Sequence, residues 1–269
     1  MKRILIVFET FHFSYDVVNF AIDLAKQDGS HLSMMFVKPL HADEAANYPF
    51  PNDLSLSDEE QEGKEQQDMR LVRADVRIFR DQCSAAGIQF NVESEQEHSI
   101  QHVLEQSAFA DLILAHASPD MGQYSIKDLL TDTHCPVMLI PDGFTKVDHI
   151  ILAFDGNTSS LQAIKLFVYL FRSWSNKDTW LVNFNSHPEG NSSIRNLTDW
   201  LHIHFPKAQV HAGTGEVSTE LPLFIRELPG SAMVVMGAFS KKGFSRWFHR
   251  SLSMSLLKNT KAALFSMHE

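Results

Sequence analysis

The residues with the clearest capacity for chemistry form a strand-loop-helix pattern near the C-terminus. Val235 and Met236 end an apolar run, Gly237 follows, and the loop leads to a helix that we expect to begin near Arg250 or Ser251. In a parallel sheet, such a loop lies at the carboxyl ends of the strands. Unpaired backbone amides and the helix dipole favour anions there, phosphate above all. The pattern therefore indicates a candidate nucleotide site.

A carboxylate follows a second apolar run, at Asp155 in the sequence Asp-Gly-Asn-Thr. A carboxylate at the end of a strand can orient a magnesium ion or a ribose hydroxyl. The same four residues more often form a turn and an N-cap for the next helix, and we favour that structural role. Phe184, at the end of the next strand along the chain, is compatible with a base contact and equally with a place in the core.

Other kinds of site find little support in the sequence. The chain contains no GxSxG, HExxH or GxxxxGK[ST] motif, so the common hydrolase and kinase signatures do not apply. His202, His204 and His211 form the closest histidine cluster, but their spacing is not the i, i+4 of a helical zinc pair. Cys83 and Cys135 are the only two cysteines and form no CxxC. We therefore expect no metal site.

Two copies of one pattern account for the whole chain. Apolar runs at 2–9 and 148–155 each end at a carboxylate, and a helical pattern follows each of them. Three further pairs of runs correspond in order, at 31–37 and 179–184, 110–115 and 231–236, and 136–140 and 262–265. Uninterrupted apolar runs are typical of parallel strands buried on both faces. The predicted fold class is α/β, with two tandem flavodoxin-like domains at 1–144 and 145–269, each a doubly wound five-stranded parallel sheet.

The two copies differ in their middle segments. Ser57-Asp58-Glu59-Glu60 has the pattern of a capping box, which predicts a long polar helix from there to about Ala86. The corresponding helix of the second copy, around 193–204, is shorter. The acidic start of the long helix suits a basic partner, but a solvated face is the safer interpretation. Turn residues at 141–145 predict the hinge between the copies.

Charge is distributed unevenly along the chain. Residues 1–145 carry 24 acidic and 10 basic side chains, a net charge of −14, whereas residues 146–269 have a net charge of +4. An acidic half repels a phosphate backbone, so we expect no nucleic-acid partner. The N-terminal apolar run of five residues is too short for a signal peptide or a membrane span. We therefore expect no membrane association and a cytoplasmic location.

The segment from Met236 to Ser251 resembles the nucleotide-binding segment of the universal stress protein family. Members carry Met-Gly, two residues, Gly, nine residues and then Gly-Ser or Gly-Thr, with an Asp after the first strand. Gly237, Ser251 and Asp155 match that pattern, while Ser240 and Arg250 replace the second and third glycines. The resemblance implies a flavodoxin-like fold of the adenine nucleotide alpha hydrolase-like class.

The resemblance also implies a set of nucleotide-binding positions. By this resemblance they are Asp155, Phe184, Gly237, Ser240, Arg250 and Ser251. Arg250 can either fill the space of the phosphates or donate hydrogen bonds to one. In the first half, Glu9 replaces Asp, and the segment from Ala115 has no glycine at the strand end, so we expect a degenerate copy that binds no nucleotide.

The functional expectations follow from this resemblance. The leading hypothesis is a stress-response protein that acts through a protein partner, without catalytic residues and with no required cofactor. The alternative is an ATP-binding switch, or slow ATPase, that uses ATP with magnesium in the second half. The family also implies that the last strands, 137–140 and 263–265, pair in an internal pseudo-dimer, since an apolar edge strand needs cover. Homodimerisation is a further expectation.

Overall fold

The computed structural model describes residues 1–9, 12–37, 58–117, 132–184, 192–237, 256, 260 and 262–267. Strands and helices alternate along most of the described part of both halves. In the first half they are β1 (Arg3–Glu9), α1 (Tyr15–Asp28), β2 (His31–Val37), α2 (Asp58–Ala86), β3 (Phe90–His98), α3 (Ile100–Ser107), β4 (Leu112–His116) and β5 (Val137–Ile140).

The second half repeats this order. Its elements are β6 (His149–Ala153), α4 (Thr158–Leu170), a 3-10 turn (Arg172–Trp174), β7 (Asp178–Asn183), α5 (Ser192–His204), β8 (Gln209–Ala212), α6 (Val217–Glu227), β9 (Ala232–Gly237) and β10 (Ala263–Met267). The predicted α/β class is confirmed, and so is the long helix that ends at Ala86.

The ten strands form one continuous sheet in the order β3-β2-β1-β4-β5-β10-β9-β6-β7-β8. Within each group of five, all neighbours are parallel. The two groups meet where β5 and β10 pair antiparallel, with Leu264 opposite Leu139 and Phe265 opposite Met138. The predicted pairing of the two last strands is therefore confirmed. Because the groups run in opposite directions, their carboxyl ends lie at opposite edges of the sheet.

Both faces of the sheet are covered, which explains why the strands are apolar at successive positions. Alternate residues of β1 pack on opposite sides: Ile4 and Ile6 join the core that includes α1 and α2, whereas Leu5 and Val7 join the core that includes α3. In the second half, α4 and α5 lie on the first side and α6 lies on the other. Helices on both faces make each group of five strands doubly wound.

Local signals fix the ends of α1. The Ser14 hydroxyl accepts a hydrogen bond from the Val17 amide at 3.4 Å, and this caps the helix N-terminus. Gly29 ends the helix with φ +70°, and its amide donates to the Ala25 carbonyl. The chain then enters β2 directly.

Within the described ranges, no helix combines the length and the apolar character that a membrane span requires.

Candidate functional site

The candidate site lies at the carboxyl ends of β6, β7 and β9. Since β9 and β7 flank β6 in the sheet, Asp155, Phe184 and Gly237 come to the same edge. The chain leaves β6 for one face of the sheet, where α4 packs, whereas α6, which precedes β9, packs on the other face. Such a change of side opens a crevice in which α/β proteins bind ligands.

The Asp155 carboxylate accepts hydrogen bonds from its own turn. The backbone amide of Asn157 donates to Oδ1 at 2.9 Å, and the side-chain amide of Asn157 donates to Oδ2 at 2.8 Å. The Ser160 hydroxyl donates to Oδ1 at 2.6 Å. Gly156 takes φ +89°, which only glycine adopts without strain, and so allows this tight turn. The favoured structural role for this segment therefore has a direct geometric basis.

The N-terminus of α4 begins at this turn. Asn157 occupies the N-cap position in an extended conformation, but its side chain makes no capping bond to the helix. Its amide group contacts Asp155 instead. The Asn157 side chain therefore does not cap the first turn of α4, and the positive end of the helix dipole lies at this edge of the sheet.

Gly237 is required by a close approach of two elements. A Cβ built on Gly237 would lie 2.4 Å from Ser159 Oγ and 2.8 Å from the Ser160 backbone nitrogen. Its φ lies outside the left-handed region, so conformational freedom is not the reason for glycine here. Gly237 therefore has a packing role here that does not depend on a ligand.

Phe184 belongs to the core at the edge of the site. Its side chain is only 5% exposed and contacts the His211 ring edge-on, with centroids 5.8 Å apart. Its ring also leaves room for nothing larger than glycine at Gly213, where a Cβ would lie 2.8 Å from Phe184 Cδ1. The backbone around it is fixed by Asn183, whose side chain donates to the Phe154 carbonyl at 2.8 Å.

Ser159 and Ser160 are site residues that the sequence analysis did not single out. Ser160 is buried and binds Asp155, and Ser159 packs against Gly237. The signal available in the sequence was a hydroxyl five residues after the carboxylate, within the first turn of the helix. That spacing is too common in helix starts to identify a site by itself.

Three predicted site residues, Ser240, Arg250 and Ser251, lie outside the described residues, as does the helix start expected near them.

The equivalent edge of the first half is built differently. The strand registers pair Ile4 with Leu112 and Ile150 with Met233, so Glu9 occupies the position of Asp155, and His116 that of Gly237. The His116 ring replaces the glycine and contacts Asp142, with Nε2 2.8 Å from Oδ1. Helix α1 begins six residues after Glu9, whereas α4 begins three residues after Asp155.

The three histidines of the cluster seen in the sequence contact a backbone carbonyl or aromatic rings. The ring of His202 donates to the Ala208 carbonyl at 2.9 Å. His204 packs against Trp200, and His211 packs against Phe224, with ring centroids 4.7 and 4.4 Å apart. Among the described residues, no group of three or more His, Cys, Asp or Glu side chains is placed to bind a metal ion.

Comparison with known proteins gives a fold and no closer relative. No protein-family model matches the sequence. No curated protein matches it either. Among solved structures, a universal stress protein from Archaeoglobus fulgidus DSM 4304 is similar, with a TM-score of 0.64 and 14% identity, over 98% of this chain and 96% of that one.

A second solved structure gives the same result. It comes from Pseudomonas aeruginosa UCBPP-PA14 and is provisionally named a universal stress protein. The TM-score is 0.62 and the identity is 14%, over 100% of this chain and 93% of the other. Together with the parallel strand groups and the covered faces, these matches define the class of the protein. It is an α/β protein with the universal stress protein fold along its whole length.

Proposed function

We propose that the protein acts in the stress response by binding a protein partner and catalyses no reaction of its own. The observation that carries this proposal is the state of Asp155, whose two oxygens accept three hydrogen bonds from Asn157 and Ser160. A carboxylate has about four lone-pair sites, so most of its capacity is used by the turn. Gly237 likewise has a packing role that needs no ligand.

The fold supports the stress-response part of this proposal by likeness alone, since the two similar structures share 14% of their residues with this chain. A shared fold is compatible with several functions. The described residues at this edge include a carboxylate, a hydroxyl and an amide that bind one another within the turn, and this arrangement supports a structural role for the turn.

An ATP-binding switch or slow ATPase is the second candidate, and the start of α4 favours it. The Asn157 side chain makes no capping bond, the positive end of the helix dipole lies at this edge of the sheet, and Gly237 brings the end of β9 against the helix. Such a terminus is suited to a phosphate. In this proposal ATP with magnesium would bind in the second half, and Ser240, Arg250 and Ser251 would complete the site with Asp155 and Phe184.

Titration of ATP with magnesium by calorimetry separates the two candidates. The wild type is compared with Asp155→Ala and Arg250→Ala, and with Asp199→Ala as a matched control, since Asp199 is an exposed carboxylate of α5 in the same half. Absence of binding in all four proteins supports the partner-binding proposal. Saturable binding at one site per chain, weakened by Asp155→Ala and unchanged by Asp199→Ala, supports the ATP switch.

Arg250 gives the titration a second readout. If the arginine is a ligand of the phosphates, Arg250→Ala weakens binding together with Asp155→Ala. If the arginine fills the space of the phosphates, the wild type shows no binding of ATP and Arg250→Ala binds it. The stress-response role itself is tested in a deletion strain exposed to starvation and oxidants. Wild-type survival restored equally by the native gene and by the Asp155→Ala gene supports a role without ATP, and no survival defect on deletion overturns the proposal.

A further inference from the structure

The carboxyl edge of the first half has a buried carboxylate that no described residue satisfies. Glu9 ends β1, one of the central strands of its group, and its neighbour β4 ends at His116. The side chain of Glu9 is only 3% exposed, yet no described group donates a hydrogen bond to Oε1. An ionised carboxylate withdrawn from water without a donor is costly in free energy. A bound donor at this edge of the sheet, where α/β proteins bind ligands, would satisfy it.

A second acceptor lies beside it. Nδ1 of His12 is 3.6 Å from Glu9 Oε2, which is beyond hydrogen-bond length, and it too is buried with no hydrogen-bond partner among the described residues. The backbone holds the pair together, because the His12 amide donates to the Glu9 carbonyl at 3.0 Å. The contact is an ion pair when the His12 ring is protonated. When Nδ1 carries no proton, it and the carboxylate both accept hydrogen bonds, and the two side chains then offer adjacent acceptors that lack a donor.

The first half of the chain is strongly acidic, and two of its carboxylates lie at the same edge of the sheet as this pair. Asp16, in the first turn of α1, accepts a hydrogen bond from the Gly143 amide, and Asp142 contacts His116. Among the described residues, no lysine or arginine forms an ion pair with Glu9. Residues 1–145 as a whole carry a net charge of −14. This field attracts cations and repels phosphates.

The same edge is also unsuited to the ligand that the second half would take. Phosphate needs open amides close to the strand end, but the His116 ring occupies the position of Gly237 and the Ser14 hydroxyl caps α1. Among the described residues, no third ligating side chain joins Glu9 and His12 in a metal site. A cation that brings several hydrogen-bond donors on one small group matches two adjacent acceptors.

We propose that Glu9 and His12 form a binding site for a primary ammonium group. An ammonium has three N–H donors, so one group can donate to Glu9 Oε1 and to His12 Nδ1 while its charge neutralises the buried carboxylate. A free alkylamine and the lysine side chain of a protein partner carry this same head group. The site does not depend on the proposed nucleotide site, which lies at the opposite edge of the sheet.

Calorimetric titration of the full chain with n-butylammonium chloride tests the site. We expect saturable binding at one site per chain, and none with sodium chloride or with tetramethylammonium chloride, which carries the charge but no N–H donor. Nα-acetyl-lysine methylamide is the second probe. Tighter binding of that probe than of n-butylammonium assigns the site to a lysine side chain, and the reverse order assigns it to a free amine.

Glu9→Gln removes the charge and keeps the shape of the side chain, so it should weaken binding at least ten-fold. The matched control is Glu105→Gln, which removes the same charge from an exposed position on α3 and should leave binding unchanged. Thermal unfolding of each variant without ligand verifies that it folds. The proposal is overturned by the absence of saturable binding to the wild type, by equal binding of tetramethylammonium, or by equal binding in folded Glu9→Gln.

Discussion

Gly237 ends β9 directly against Ser159 at the start of α4, so closely that a Cβ on the glycine would lie 2.4 Å from the serine hydroxyl oxygen. The backbone carbon of Ser159 would be 2.8 Å away, and a backbone atom cannot rotate aside as a hydroxyl can. This contact gives Gly237 a packing role that does not depend on which ligand binds at this edge of the sheet. It also holds the end of β9 against the start of α4, the helix whose Ser160 hydroxyl donates to Asp155.

Gly237→Ala should therefore lower the free energy of unfolding by about 1–3 kcal/mol, the usual cost of overpacking a fitted contact. Urea unfolding followed by circular dichroism measures this. Adding Ser159→Ala removes the hydroxyl but leaves the backbone contact, so the double variant should recover little of the loss. Full recovery in the double variant would show that the hydroxyl alone sets the constraint.

The turn at Asp155 should behave as one coupled unit. Asp155→Ala removes the acceptor of three hydrogen bonds and should cost about 1–3 kcal/mol of unfolding free energy, and Ser160→Ala should cost about 1 kcal/mol. Both changes remove the same 2.6 Å bond. The double variant should therefore lose less unfolding free energy than the sum of the losses in the two single variants. Ser218→Ala, at an exposed hydroxyl of α6, serves as the control and should change stability by less than about 0.5 kcal/mol. Strict additivity of Asp155→Ala and Ser160→Ala would contradict a coupled turn.

The two cysteines should be unreactive in the folded protein. Burial raises the pKa of Cys83 to about 12, and burial together with the nearby Asp111 raises the pKa of Cys135 to about 12. Since the thiolate is the reacting form, almost none is present at pH 8. A chromogenic disulfide reagent should titrate both thiols in denaturant and neither in native buffer. Rapid labelling of either thiol without denaturant would show that its site opens.

The ion pair between Lys2 and Asp28 should make the free energy of unfolding depend on pH in the acid range. Burial alone would raise the pKa of Asp28, but hydrogen bonds from Lys2 and Ser30 bring it below its usual value. A carboxyl whose pKa is lowered by folding adds stability above its unfolded pKa, about 3.9, and this is lost as the pH falls through the lower folded pKa. Asp28→Asn should thus destabilise the protein at pH 7 and have a smaller effect near pH 3.

Urea unfolding at both pH values measures that effect. Asp23→Asn is the matched control, because Asp23 is an exposed carboxylate on the same helix, and it should have little effect at either pH. An equal loss of stability at pH 7 and pH 3 in Asp28→Asn would mean that the side chain acts through packing and not through its charge.

Much of the architecture was determined by the sequence alone. The runs at 4–8, within β1, and at 150–153, within β6, are apolar at every position because both faces of the sheet are covered. That pattern separates buried parallel strands from half-exposed ones. Ser14, which caps α1, and Gly29, which ends it, define the first and last residues of that helix to within one position. The order of elements followed from these local signals, and the pairing of β5 with β10 from the family resemblance.

The tertiary structure alone decided what the residues at the two edges do. That Gly237 serves a close approach, that Ser160 donates to Asp155, and that His116 occupies the place of a glycine beside Asp142 depend on strand register and on where each helix begins. These contacts join residues far apart in the chain, and no local propensity encodes their distances. Only the tertiary structure shows that Glu9 Oε1 is buried without a hydrogen-bond donor among the described residues. The sequence identifies the carboxylate but not the groups that surround it.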